Sequence, residues 1–165
     1  MHALYMVSAC NAGECTDSQA QGASSLMLGT IGYFKPSNSL AGGFGNAVAL
    51  SSDGTTLAVG APLDNSVGNT IDGPGTQGGG FMNGAAYVFR KSASGWALEA
   101  FIKSSNNGDQ HRFGESLSLS GDGNTLVVGA PNENGGSTRV DGDKTNTNGT
   151  HSGAAYAFVR NGTQS

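Results

Sequence analysis

Hydrophobic positions along this chain come in short runs separated by clusters of Gly, Asn, Asp, Ser and Thr. Ala47 to Ser51 is a brief β-type stretch, and Thr56 to Ala61 is a run of small and β-branched residues stopped by Pro62, which has no amide hydrogen to give a ladder. A third stretch covers Ala85 to Arg90. The fourth, Trp96 to Lys103, alternates, with Trp96, Leu98, Ala100 and Ile102 on one face and Ala97, Glu99, Phe101 and Lys103 on the other. Between the first two runs, Ser52-Asp53-Gly54-Thr55 carries an Asp-Gly pair suited to a two-residue hairpin turn. The pattern predicts an all-β chain of short strands.

The pattern repeats. Phe44-Gly45 recurs as Phe113-Gly114, Leu57-Ala58-Val59-Gly60-Ala61-Pro62 as Leu126-Val127-Val128-Gly129-Ala130-Pro131, and Gly84-Ala85-Ala86-Tyr87-Val88-Phe89 as Gly153-Ala154-Ala155-Tyr156-Ala157-Phe158, each pair 69 residues apart. Residues 44–91 laid on 113–160 give 22 identities in 48 without a gap, so two copies of one structural unit are present. Leu28 to Lys35 echoes the fourth strand, since Tyr33-Phe34-Lys35 resembles Phe101-Ile102-Lys103. Counting from Leu28 gives eight strands, or two groups of four. A four-stranded unit of this size buries too little surface alone and has to stack on neighbours like itself, which is the logic of a β-propeller blade. Rings close at about four to eight blades. Two blades are therefore expected to be part of a longer protein or to assemble with other copies.

Composition narrows the function classes. Of 165 residues, 28 are Gly and 12% are charged, a balance that excludes highly charged disorder and coiled coil. Eight Lys plus Arg against twelve Asp plus Glu give a net charge of -4, too thinly basic for a phosphate-tracking surface, so no nucleic-acid partner is expected. The longest apolar runs, such as Leu57 to Pro62, fall far short of the ~20 residues that span a bilayer, so no membrane insertion is expected. Met1-His2-Ala3-Leu4-Tyr5 lacks the basic and apolar regions of a secretory signal, which places any export signal outside this chain.

Catalytic constellations are not apparent. His2, His111 and His151 stand far apart in sequence and read as surface histidines, and no nucleophile elbow or phosphate-binding loop occurs. Gly78-Gly79-Gly80, followed by Phe81-Met82, reads as flexible loop. Asn148-Gly149-Thr150 and Asn161-Gly162-Thr163 are formal glycosylation acceptors.

The pairing of Phe44-Gly45 with Gly60-Ala61-Pro62, and of Phe113-Gly114 with Gly129-Ala130-Pro131, resembles the FG-GAP repeat of integrin α subunits and large bacterial surface proteins. The form Leu-Ser-x-Asp-Gly-x-Thr-Leu-x-Val-Gly-Ala-Pro resembles the bacterial branch. The resemblance implies an extracellular or cell-surface, non-enzymatic propeller that binds a protein or glycan ligand. The alternatives are the accessory region of a secreted hydrolase and a structural spacer. Phe44, Phe89, Phe113, Phe158, Tyr87 and Tyr156 are expected to fill the space between blades. Integrin-type repeats often carry a calcium loop before the Gly-Ala-Pro strand. Here the remaining ligand positions fall on Ala49, Ser51 and Leu57, and on Ser118, Ser120 and Leu126, so one carboxylate per loop is too few and Asp53-Gly54 and Asp122-Gly123 read as turns.

The inserts at residues 63–83 and 132–152 are rich in Gly, Asn, Asp, Ser and Thr. No resident cofactor is expected. The weak calcium candidates are Asp64, Asn65 and Asp72 in the first insert and Glu133, Asn134, Asp141 and Asp143 in the second, set against the reading that these side chains close turns locally. Outside the repeat, Ala3 to Cys15 resembles the last hairpin of a fibronectin type III domain, with Tyr5 near its corner tyrosine. Cys10 and Cys15 flank its turn within disulfide reach, leaving a disulfide, free thiols or a metal pair open, of which an oxidised pair fits a secreted protein. The expected organisation is a fibronectin-like tail or linker at 1–24, a first blade region at 28–103 and a truncated second at 104–165.

Overall fold

The computed structural model describes residues 4–5, 8–11, 14–17, 21–22, 32–37, 41–72, 79–143, 146 and 148–161. The chain divides into two compact units, Met1–Phe34 and Lys35–Ser165. In the first, β1 (Leu4–Tyr5) pairs antiparallel with β4 (Gln21–Gly22), and β2 (Ser8–Asn11) with β3 (Glu14–Asp17). The second hairpin sets Cys10 directly opposite Cys15, though their side chains lie outside what is described. His2 also lies outside the described residues.

The second unit contains β5 (Ala41–Gly42), β6 (Val48–Leu50), β7 (Thr56–Ala61), β8 (Leu63–Asp64), β9 (Ala85–Ser92), β10 (Gly95–Ile102), β11 (Ser116–Leu119), β12 (Thr125–Ala130) and β13 (Ala154–Val159). Two antiparallel sheets result, in the orders β10-β9-β7-β6 and β11-β12-β13, with β5 and β8 forming a separate short ladder. No helix occurs among the described residues. The all-β expectation holds, and the architecture is that of a partial β-propeller. Among the described residues the second sheet has three strands rather than four. Of the expected strand at Leu28 to Lys35, residues 32–35 are not strand and the rest lies outside the described residues.

Two local expectations are corrected. The Asp-Gly connections are four-residue loops, not two-residue turns. The Ser51 amide donates to the Thr56 carbonyl at 2.9 Å and the Gly54 amide to the Ser51 carbonyl at 2.9 Å, with only Gly54 at positive φ (68°). The Asp53 carboxylate organises this loop, accepting from Ser51 Oγ (2.6 Å), the Thr55 amide (3.0 Å) and Thr55 Oγ1 (2.9 Å). Those donors, led by the Ser51 hydroxyl, pull its pKa down to about 2. Asp122 does the same with Ser120 and Asn124. The second correction concerns β10, whose register passes from Leu98↔Phe89 to Ala100↔Val88 and leaves Glu99 as a bulge. Strict alternation therefore breaks. Leu98 is exposed, whereas Phe101, Ile102 and Lys103 are all buried.

Residues opposite one another in a ladder share a face. On β7 and β9 one face carries Ala58, Ala86 and Val88, joined by Ile102 of β10; on the second sheet one face carries Leu126, Val128 and Ala130. These residues form one core cluster with Phe113, flanked by Leu117, Leu119, Tyr156 and Phe158. The small residues of β7 and β9 let the sheets approach closely. A Cβ on Gly60 would lie 2.0 Å from the Gly114 carbonyl oxygen, and one on Gly114 would lie 2.2 Å from the Ala85 oxygen. The Phe113 amide donates to the Asn83 carbonyl at 3.1 Å, and Phe113 pairs in parallel with Gly84. The Phe113-Gly114 corner thus wedges its backbone into the first sheet.

Each corner phenylalanine sits edge-on to two aromatic rings of its own sheet. Phe44 lies 5.3 Å from Tyr87 and 6.3 Å from Phe89; Phe113 lies 5.4 Å from Tyr156 and 6.1 Å from Phe158. Phe113 also enters the core between the sheets and is fully buried, whereas Phe44 is half-buried. Phe113→Ala is expected to lower stability by ~3–5 kcal/mol, and Phe44→Ala by clearly less. Denaturant melts of the two variants check this, and equal losses would contradict the wedge.

Candidate functional site

Both inserts leave and re-enter their sheets through the same hydrogen-bonded neck. In the first, Asn65 Oδ1 accepts from the Met82 amide at 2.8 Å and the Gly84 amide donates to the Asp64 carbonyl at 3.1 Å. In the second, Asn134 Oδ1 accepts from the His151 amide at 2.9 Å and the Gly153 amide donates to the Glu133 carbonyl at 3.0 Å. Left-handed residues recur in step: Asp72 with Asp141 (φ 53° and 51°), and Met82 with His151 (φ 54° and 50°). Backbone conformation therefore repeats where side chains differ, because the asparagine closing each neck is the same residue type.

Below each neck lies a buried carboxylate. Asp64 is enclosed with Lys103, whose Nζ lies 3.1 Å from Oδ1. The Ser66 amide donates to Oδ1 at 2.9 Å, the Ser66 hydroxyl donates to the same atom, and Tyr87 OH donates to Oδ2 at 3.3 Å. Burial pushes the Asp64 carboxyl up, but the Ser66 donors and the Lys103 charge outweigh it and hold it below the ordinary value. Burial likewise holds the Lys103 ammonium below its ordinary value, with Asp64 opposing. Glu133 takes the equivalent place, accepting from Tyr156 OH at 2.6 Å and Asn106 Nδ2 at 3.1 Å. Burial and this carboxylate hold the Tyr156 phenol well above its ordinary value, so it remains a donor.

The remaining calcium candidates divide between backbone anchoring and exposed turn. Asp72 exchanges bonds with Phe101, its amide donating to the Phe101 carbonyl and its Oδ1 accepting from the Phe101 amide, both at 2.8 Å. Asp141 and Asp143 are exposed beside the turn closed by the Gly142 amide and the Arg139 carbonyl. Among the described residues no three His, Cys, Asp or Glu side chains gather at metal-holding spacing.

His111 differs from its expected surface position. It is 3% exposed, because the connection from Lys103 to Arg112 folds between the roots of the two inserts. Its Nδ1 faces the Asn106 carbonyl at 2.9 Å and its Nε2 accepts from the Asn134 amide at 3.3 Å, which requires the neutral tautomer with the proton on Nδ1. His151 is exposed, as expected.

Sequence reasoning also missed Phe81. Its amide donates to Asp109 Oδ1 at 2.9 Å and its carbonyl accepts from the Gln110 amide at 2.6 Å, yet it remains 51% exposed. Ile71 and Val140 are also exposed on the inserts. The preceding glycines disguised Phe81 as part of a flexible loop; the available signal was a single aromatic residue in a Gly-rich insert.

Residues 96–158 match the family model of the FG-GAP repeat. The match spans most of β10, the Phe113-Gly114 corner and nearly all of the second sheet. No curated protein matches the chain. No helix among the described residues is long and apolar enough to cross a membrane.

Lys103→Met removes the ammonium that lies 3.1 Å from the buried Asp64 carboxylate, so a loss of ~3–5 kcal/mol is expected at neutral pH. In the parent, the lowered Asp64 pKa gives stability that is present above the ordinary 3.8 and lost as pH falls through the lowered value. In the variant, burial and the Ser66 donors remain but the Lys103 attraction is gone, so the folded pKa lies above the parent's and the deficit is largest at neutral pH. The deficit should therefore shrink as buffer is acidified toward 3.8. Melts of both proteins across that range check the sign, and a deficit independent of pH would contradict it.

Proposed function

We propose that this protein is a non-enzymatic extracellular binding or adhesion module of bacterial type, built on FG-GAP propeller repeats and preceded by a fibronectin-like tail. Its insert loops contact a protein or glycan ligand. The observation that carries the reading is Phe81, an exposed aromatic ring whose backbone is fixed on both sides. Rigid aromatic anchors bind at low entropic cost because they give up little freedom on docking. The FG-GAP match over 96–158 supports a propeller-type scaffold beneath that loop.

The test is a binding screen of the full chain against glycans and matrix proteins, followed by Phe81→Ala. Binding of a ligand is expected to weaken by at least about tenfold in the variant, as for an interface anchor, with the melting temperature unchanged. A ligand bound equally by both proteins would remove Phe81 from the contact, and an empty screen would favour a spacer.

The carboxylates at the insert roots already accept internal donors, which supports loops that keep their shape without a resident metal. Adding excess calcium is expected to leave the melting temperature unchanged, and a rise of several degrees would assign calcium to the inserts.

A further inference from the structure

We propose that this chain assembles head to tail with a second copy of itself, the Phe44-Gly45 corner and β6 of one copy docking on the outer face of the other copy's β11-β12-β13 sheet. The joint between the two sheets of one chain supplies the template. There Phe113-Gly114, Leu117 and Leu119 meet the face that carries Ala58, Ala86 and Val88. At the 69-residue offset, the counterparts of the first set are Phe44-Gly45, Val48 and Leu50, and those of the second are Val127, Ala155 and Ala157. The chain thus carries both halves of a second such joint, on opposite sides of the pair of sheets.

Both halves are open. Val48 is 65% and Leu50 57% exposed on the first sheet; Val127, Ala155 and Ala157 are exposed on the second, beside Val159 at 63%. The glycines give an independent sign. A Cβ on Gly60 would strike the Gly114 oxygen of the neighbouring sheet, whereas one on its counterpart Gly129 would meet Ser116 alone. A Cβ on Gly114 would strike Ala85, whereas one on Gly45 would meet nothing within 4 Å among the described residues. Among the described residues no neighbouring sheet seats its backbone at Gly129, and the Gly45 corner is seated in none.

The occupant is a second copy because the missing half of each joint is already encoded in the chain. Val48 and Leu50 on one side meet Val127, Ala155, Ala157 and Val159 on the other, with Ser116 and Ser118 along the β11 edge of that face, and the packing they would form continues that between the two sheets. Such a contact joins unlike surfaces, so it propagates until it closes. Closure at about two to four copies brings together about four to eight sheets, the usual range for a ring.

Sedimentation equilibrium of the full chain from micromolar to near-millimolar concentration is expected to show a species of two to four chains, and the mass of one chain throughout would overturn the proposal. Leu50→Asp damages one half of the joint and Gly129→Leu the other. Each variant alone is expected to sediment as a single chain with its melting transition retained. Mixed in equal amounts, they should form a two-chain species, because each supplies the half that the other lacks. A variant that stays associated, or a mixture that stays monomeric, would overturn head-to-tail docking. Val127→Lys, exposed on the same face, replaces Gly129→Leu should that variant fail to fold.

Discussion

The contact on which the rest depends is backbone against backbone at the Phe113-Gly114 corner. Gly60 and Gly114 have no Cβ, and the strand that faces the corner is otherwise lined by alanine, so main chains touch where side chains would normally separate the sheets. That approach fixes the spacing of the two sheets, buries Phe113 completely and aligns the segment before it with Asn83 and Gly84 at the neck of the first insert. Packing of the core and placement of the loops therefore follow from one constraint. A larger residue at Gly60 would disturb both at once, because interiors packed at this density have no slack to absorb a displaced strand.

Around this joint, polar groups tie the periphery to the core. Glu99 bulges out of β10, and Arg160 from the end of the second sheet reaches it at 2.6 Å while also donating to Asn124 Oδ1 at 3.0 Å. The Ser52 amide donates to the Gly121 carbonyl at 2.8 Å, linking the two Asp-Gly loops. At the other end His111 joins the Asn106 carbonyl to the Asn134 amide. The two sheets are thus pinned at both ends of their strands as well as packed along their faces.

Much of this was legible in the sequence because it repeats. The spacing of Phe-Gly, Gly-Ala-Pro and Gly-Ala-Ala-Tyr reports backbone requirements, such as glycine at a close approach, and those requirements recur wherever the unit recurs. The Asp64–Lys103 pair was hidden: its members are 39 residues apart, and alternation assigned Lys103 to a face by a period that the bulge at Glu99 interrupts. His111 was hidden because its burial comes from the path of a connection with no periodic pattern. The four-residue loops were mistaken for tighter ones because Asp-Gly suits both, and the deciding bonds come from the hydroxyls of Ser51 and Thr55.

The paired necks have a consequence for how such a chain can diversify. Asn65 with Met82, and Asn134 with His151, close each insert at its base before the excursion begins. Beyond the first neck the excursion is tied once more to β10, where Asp72 exchanges hydrogen bonds with Phe101. Each neck is therefore a socket: foreign sequence can be spliced above the clasp, and in the first insert beyond Asp72, by evolution or by grafting, while the sheets beneath keep their register.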